Sequence, residues 1–155
     1  MSKTKVSLVL VTHTGGVLCG VYQNNQLIKS QINTLKTLDA LVDIWVSVKQ
    51  CYEVEEICYA RGPGSLSALK LLHIFIQTLH VISGIKIFAV DSFYFNQGKS
   101  IKAFGNQYFV KNTQGEIILH QDLLQESENK FTLPSVINKE DFSQPTQPLY
   151  IVPPV

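Results

Sequence analysis

Charged residues are scarce in this chain of 155 residues: Asp, Glu, Lys and Arg together make up 16%, against a usual share of roughly 25%. The net charge is only +1, and no run of lysine or arginine supplies the several phosphate contacts that tight nucleic-acid binding requires. Independent binding to a nucleic acid is therefore not expected. A low charged share at 45% hydrophobic content instead suggests that another chain covers part of the apolar surface.

Disulfide, metal-binding and membrane patterns are missing as well. Cys19, Cys51 and Cys58 form no CxxC pair and are odd in number, which predicts reduced, packed thiols in a cytoplasmic protein. His73 and His80 lie two helical turns apart, about 10 Å by helix rise, so they cannot bind one metal ion together, and we expect no metal site. No signal peptide is evident, and no apolar run approaches the roughly 20 residues that span a membrane. No membrane association is expected.

The apolar segments that are present predict an α/β fold. In chain order, the predicted elements are strands at 6–11, 17–23 and 26–32, a helix at 34–50, a strand at 56–60, a helix at 66–82 and a strand at 86–90. The short turns between the first three strands indicate an antiparallel meander. Asn33 or Thr34 is expected to cap the first helix, and Gly84 to end the second. Alternation of strand and helix after the meander favours parallel crossovers.

After Gly98 the pattern changes to short strands and polar loops. We predict strands at 101–104, 107–111 and 116–120, a loop over 121–148 with a short strand at 131–133, and a last strand at 149–152. The chain therefore divides into a predicted lobe at residues 1–98 and a small β-rich lobe at residues 99–155.

One segment carries specific information: YARGPGSLSALK, at residues 59–70, lies between a predicted strand and a predicted helix. Gly62 and Gly64 permit backbone angles that other residues avoid, Pro63 fixes a bend, and Ser65 stands where a helix N-cap belongs. Such a corner can hold an anion at the helix N-terminus, or it can be a well-capped turn without a ligand. The residues themselves leave both interpretations open.

This segment resembles the GRGPGSFTGLR motif of the TsaB (YeaZ) family, which also stands between a strand and a long helix. The stretch IFAVDSF at residues 87–93 is similar to that family's GVSSLEAL, and PLYI at residues 148–151 is similar to its closing PLYLR. The resemblance implies an actin-like, RNase-H-like lobe, in which helix, strand, helix and strand follow the three-stranded meander. The β-rich second lobe is reduced by comparison with the family.

Members of this family are non-catalytic scaffold subunits that pair with a homologous catalytic subunit, TsaD. Together with the ATPase TsaE, they add a threonylcarbamoyl group to the adenosine beside the anticodon of certain tRNAs. The resemblance thus implies a cytoplasmic dimerisation subunit that meets tRNA only through the complex and forms a homodimer when isolated. No cofactor is expected on this chain alone, and a nucleotide at the interface with the partner stays open.

His13 departs from the superfold's pattern, because it stands where the first hairpin usually carries an acid. A carboxylate there would hold a phosphate-bound metal, so its absence argues against an ATPase. The alternative function is a nucleotide-using acyl- or phosphotransferase of the actin-like superfold. A degenerate peptidase, after the family's glycoprotease-like label, has no zinc-ligand spacing to support it. Asp91 follows a strand end, where it would bind a ligand or cap the next segment.

The helix over residues 66–82 is apolar around far more than the roughly 100° stripe that packing on a sheet requires. Either it lies deep inside the fold, or it packs on the sheet and on a second protein. The resemblance implies that residues 34–50 and 65–83 dock an equivalent helix pair of the catalytic subunit as a four-helix bundle. The positions expected to contact the partner are Leu38, Val42, Trp45, Leu66, Leu69, Lys70, His73, Ile76 and Gln77.

Overall fold

The computed structural model of the chain describes residues 2–13, 15–103, 107–121 and 131–151. Its strands are β1 (Thr4–His13), β2 (Gly16–Gln23), β3 (Gln26–Asn33), β4 (Tyr52–Ala60), β5 (Lys86–Val90), β6 (Ile101–Lys102), β7 (Gln107–Lys111) and β8 (Ile117–Gln121). Its α-helices are α1 (Thr37–Cys51) and α2 (Leu66–Ser83), and short 3-10 helices lie at Ser92–Phe95 and Lys139–Asp141. The strands form one five-stranded and one three-stranded sheet, which confirms the α/β class.

The five-stranded sheet has the order β3-β2-β1-β4-β5. Strands β1, β2 and β3 pair antiparallel, whereas β1, β4 and β5 pair parallel, as the meander and the later alternation predicted. Asn24 and Asn25 form the β2–β3 turn with φ of 52° and 67°, a conformation that asparagine tolerates well. Strand β1 is central, and residues 6–11 are all buried, which explains why five of these six residues are apolar.

Both helices lie on one face of this sheet. Ala40, Leu41, Ile44 and Val48 of α1 and Leu72 and Ile76 of α2 belong to the core cluster that covers that face. Ser65 Oγ accepts a hydrogen bond from Ala68 N at 3.4 Å, and Gly84, with φ of 72°, ends α2. The expected cap and stop of α2 are therefore confirmed.

The expected cap of α1 is wrong. The helix begins at Thr37, and Lys36 stands at the N-cap without a side-chain hydrogen bond. Asn33 instead accepts from Leu35 N at 3.1 Å and donates to Asp43 Oδ2 at 2.7 Å. Its amide thus braces the turn that leads into the helix, a role that competes with capping.

The opposite face of the sheet is covered by residues 131–151, which we call the C-terminal strap. Ile137 and Phe142 are buried there against Val9, Val11 and Cys58. Three hydrogen bonds fix the first part of the strap to the β2–β3 hairpin: Tyr22 OH to Pro134 O at 2.6 Å, Leu27 N to Ser135 O at 2.8 Å and Ile137 N to Asn25 O at 2.9 Å.

The strap contains isolated bridges, Gln26 with Val136 and Ala89 with Gln144, rather than strands. The predicted strand at 131–133 is wrong, and residues 149–151 of the predicted last strand are not in a strand either. At each bridge, the strap backbone pairs with a single residue of the first sheet and forms no continuous ladder. Val152 lies outside the described residues, as does the part of the predicted loop at 122–130.

The three-stranded sheet has the order β6-β7-β8 and confirms the three predicted short strands within one or two described residues. Phe93, Ile101 and Phe109 form its small buried core, against which Phe131 and Ile151 of the strap pack. The predicted turn at Gly105-Asn106 lies outside the described residues. The division of the chain at residue 98 stays a prediction, and the strap lies against both sheets.

Candidate functional site

The outer side of the two helices carries large apolar side chains that the fold leaves exposed. Of the 18 residues in α2, only Leu69, Leu72 and Ile76 are buried. Deep burial of this helix, one of the two alternatives read from its sequence, is therefore wrong. We define the helix-pair surface as the large apolar side chains of the two helices that are between 43% and 79% exposed. They are Leu38, Val42 and Val46 of α1, and Leu66, Ile74, Val81 and Ile82 of α2.

The structure separates the nine residues that were expected to contact a partner. Leu38, Val42, Leu66 and Lys70 are exposed, and Trp45 and His73 are partly exposed. Leu69 and Ile76, at 3% and 0% exposure, are core residues. Their assignment to a partner surface is wrong, because the same apolar pattern serves a core and an interface equally well.

The polar flank of α2 makes two contacts with other segments of the chain. Gln77 Nε2 donates to Thr146 O of the strap at 3.2 Å, and His80 Nδ1 lies 2.7 Å from Ile85 O. His73 lies one turn before Gln77 on the same flank, and its Nδ1 is buried without a hydrogen-bond partner. Gln77 is thus bonded to the strap, while His73 and Gln77 also line an open groove with the exposed Ile74, Val81 and Ile82.

Sequence reasoning missed Val46, Ile74, Val81 and Ile82, which are among the exposed apolar residues. The sequence did contain a signal for Ile74 and Val46. Ile74 stands in a series with a spacing of four residues, formed by Leu66, Lys70, Ile74 and Thr78, and Val46 follows Val42 at the same spacing. Residues four apart share one helix face. The exposed Lys70 and Thr78 mark that face as the outward one.

By length and composition alone, α2 is apolar enough to cross a membrane, which corrects the expectation that no segment reaches this limit. Its apolar residues are divided between two surroundings. Leu72 and Ile76 pack in the core on the sheet, while Ile74, Val81 and Ile82 are exposed. The helix thus has both an inward and an outward apolar face.

The motif loop forms a tight corner between β4 and α2. Gly62 has φ of 122°, and a Cβ there would lie 2.8 Å from Leu149 O and 2.9 Å from Leu69 Cδ1. Only glycine fits this backbone position. Gly64 has no left-handed φ, and a Cβ there would meet nothing within 4 Å. The special backbone angle expected at Gly64 is therefore wrong, and the conformational requirement belongs to Gly62. Pro63 follows Gly62 through a cis peptide bond.

Asp91 is buried and forms the centre of a partly buried ion-pair cluster beside this corner. Arg61 Nε donates to Asp91 Oδ1 at 2.8 Å, and Lys111 Nζ lies 3.4 Å from Asp91 Oδ2. Arg61 Nη2 also donates to Gln144 Oε1 of the strap at 3.3 Å. Asp91 makes no side-chain capping bond to the following 3-10 helix, so the capping interpretation is wrong. Since both carboxylate oxygens are engaged, its observed role is to join the motif loop to the second sheet.

His13 ends β1, and burial lowers the pKa of its imidazole. Gly15 N donates to His13 Nδ1 at 3.3 Å, while Nε2 is buried without a partner. The ring lies 5.8 Å from the ring of Phe131. A neutral imidazole supplies none of the negative charge that a phosphate-bound metal takes from a carboxylate. Among the described residues, no three His, Cys, Asp or Glu side chains are grouped to hold a metal ion.

The arrangement defines a class of α/β protein: a mixed five-stranded sheet with two helices on one face and a glycine-bracketed corner after β4. YeaZ from Pseudomonas aeruginosa has this fold, with a TM-score of 0.58 and 17% sequence identity over 79% of this chain and 65% of that chain. A second match is an uncharacterized protein with similarity to peptidase YeaZ from Pseudomonas aeruginosa. It has a TM-score of 0.53 at the same identity and coverage.

The resemblance to YeaZ proteins is thus confirmed at the level of the fold, which is what a likeness at 17% identity shows. The chain spans 65% of the length of each of these structures. No family model matches the chain, and no curated protein matches it.

Proposed function

We propose that this chain is a TsaB-like, non-catalytic scaffold subunit that pairs with a TsaD-like catalytic subunit. With a TsaE-like ATPase, that complex would attach a threonylcarbamoyl group to the adenosine beside the anticodon of tRNA. The observation that carries the proposal is the helix-pair surface, which presents seven large apolar side chains to solvent. The YeaZ fold and the motif at residues 59–70 support the family assignment and, with it, the actin-like, RNase-H-like description of the first lobe.

The composition of α2 favours a protein partner. Its 18 residues include a single formal charge, Lys70, and its exposed side includes Ile74, Val81 and Ile82. Large exposed apolar patches are uncommon on proteins that act alone and mark interaction sites. A stable interface buries about 1,600 Å² in total, and a few central residues contribute most of its energy. Two adjacent helices of 15 and 18 residues offer an area of that order.

A binding role agrees with the surroundings of the two residues that were considered as ligand-holding groups. Asp91 is occupied by Arg61 and Lys111, and His13 replaces the usual hairpin acid. The proposal therefore assigns catalysis, and contact with tRNA, to the partner and places the complex in the cytoplasm.

The helix-pair surface is tested by placing a charge on each helix where the fold does not need the side chain. Ile74→Glu and Val42→Glu change residues that are 51% and 48% exposed, so both variants should fold by circular dichroism. Both should fail to co-purify with a TsaD-like subunit from the same cells, because a buried unpaired charge opposes docking.

Ile118→Glu is the matched control, since Ile118 is 41% exposed on β8, away from both helices. It should bind like the unmodified chain. Folded Ile74→Glu and Val42→Glu proteins that still bind would show that the partner docks elsewhere. In the absence of a partner, the same surface should drive self-association, which sedimentation at micromolar concentration measures and both variants should weaken.

A further inference from the structure

The carboxyl ends of the parallel strands β1, β4 and β5 lie at one edge of the five-stranded sheet, the place where α/β sheets commonly bind ligands. In this chain the last part of the C-terminal strap runs across that edge. Gln144 N donates to Ala89 O near the end of β5 at 3.1 Å, and Leu149 N donates to Arg61 O just after β4 at 2.8 Å. Two strap amides therefore use backbone acceptors at the ends of two strands.

Side chains reinforce these backbone contacts from both sides. Gln144 Oε1 accepts from Arg61 Nη2 at 3.3 Å, which makes the strap a partner of the Arg61–Asp91 pair. Between the two bonded amides, Thr146 O accepts from Gln77 Nε2 of α2 at 3.2 Å. Residues 144–149 are thus held by the motif loop, by β5 and by α2.

Gly62 shapes the seat for this segment. Its φ of 122° turns the chain so that Leu149 O comes within 2.8 Å of where a Cβ would be. A side chain at position 62 would have to displace Leu149 or distort a backbone angle that residues other than glycine rarely adopt. Gly64, two residues on, has open space around the same position.

We propose that residues 144–149 form a built-in closure of the sheet's ligand-binding edge and that Gly62 seats it. The motif loop is then a receptor for the chain's own C-terminal segment. This assigns a use to the glycine-bracketed corner whether or not a partner docks on the helices, so the inference does not rest on the proposed function.

Hydrogen exchange on the isolated full-length chain tests the closure. Gly62→Ala should speed exchange of the Gln144 and Leu149 amides by roughly 5- to 150-fold, the factor that corresponds to the cost of a strained backbone position, while the amides of β1 keep their protection. Gly64→Ala is the matched control and should leave both strap amides unchanged. Unchanged strap amides in Gly62→Ala, or equal effects of the two variants, would overturn the proposal.

A second variant covers the case in which Gly62→Ala loosens the whole chain. Leu149→Pro removes the N–H that Arg61 O accepts, without adding an atom at Gly62. It should speed exchange at Gln144 and leave β1 protected. If Gln144 keeps its wild-type exchange rate in Leu149→Pro, the two amides do not open together and the strap is not a closure.

Discussion

Loss of the Lys139 ammonium should destabilise the protein. Lys139 lies on the strap and neutralises the buried carboxylate of Glu56. Glu56, on β4, is 7% exposed. Its Oε1 accepts a hydrogen bond from Ser7 Oγ at 2.6 Å and pairs with Lys139 Nζ. Breaking a fully buried pair costs about 3–5 kcal/mol. The Lys139 side chain is 42% exposed, so water would reach the carboxylate, and we expect about half that cost, roughly 2 kcal/mol, for Lys139→Met.

Urea unfolding measures this cost. With a slope of about 1–3 kcal/mol per molar urea, Lys139→Met should lower the midpoint by roughly 1 M. Lys5→Met is the matched control: Lys5 pairs with Glu55 at 3.9 Å, with side chains 67% and 55% exposed, and should change stability by at most about 0.5 kcal/mol. A double variant with Glu56→Gln should recover much of the loss, since no unpaired charge remains. If Lys139→Met is as mild as Lys5→Met, the strap does not neutralise Glu56.

Two further predictions follow from the buried thiols and phenols. One thiol per chain, that of Cys51, should react rapidly with a disulfide reagent at pH 8, because Cys51 is exposed while burial raises the pKa of Cys19 and of Cys58 to about 12; a fast phase that survives Cys51→Ser would contradict this. Stability should fall as pH rises from about 9 towards 12. Burial raises the pKa of Tyr59 to about 12 as well, so the folded chain keeps protons on Cys19, Cys58 and Tyr59 that the unfolded chain releases. Each of these groups contributes up to about 1.4 kcal/mol per pH unit in that window, and equal urea midpoints at pH 7.5 and pH 10.5 would refute the assignment.

Local pattern was sufficient for the presence and order of the first five strands and the two helices. The valine-rich run at 6–11 is typical of a strand covered on both faces, and α2 is bracketed by the side-chain cap of Ser65 and the left-handed backbone of Gly84. The start of α1 was less predictable, because Asn33 can bond the following backbone either as a cap or as a turn. The contact that decides it, Asn33 with Asp43 at 2.7 Å, spans ten residues and leaves no local pattern.

The strap could not be predicted as a layer of the fold. Its polar, proline-containing sequence reads as loop, and its hydrogen bonds go to single residues far away, such as Tyr22 and Arg61. For the same reason, the sequence did not show that position 62, and not position 64, requires glycine. Both glycines stand in the same motif, and only the approach of Leu149, 87 residues later, distinguishes them.

The way the two faces of the sheet are covered determines where a partner can dock. The strap covers one face with the buried Ile137 and Phe142 and is itself tied to both sheets. The other face is covered by helices whose inner sides are in the core and whose outer sides are not. Seven of the thirteen exposed large apolar side chains of the described residues lie on those outer sides. Lys70 is the single formal charge of α2, whereas α1 exposes Asp39, Asp43 and Lys49, so docking centred on α2 would desolvate few ions. A partner that contacted the strap instead would meet a segment already bonded to the sheet. Ile74→Glu should therefore affect partner binding, and Gly62→Ala should affect the protection of the strap amides.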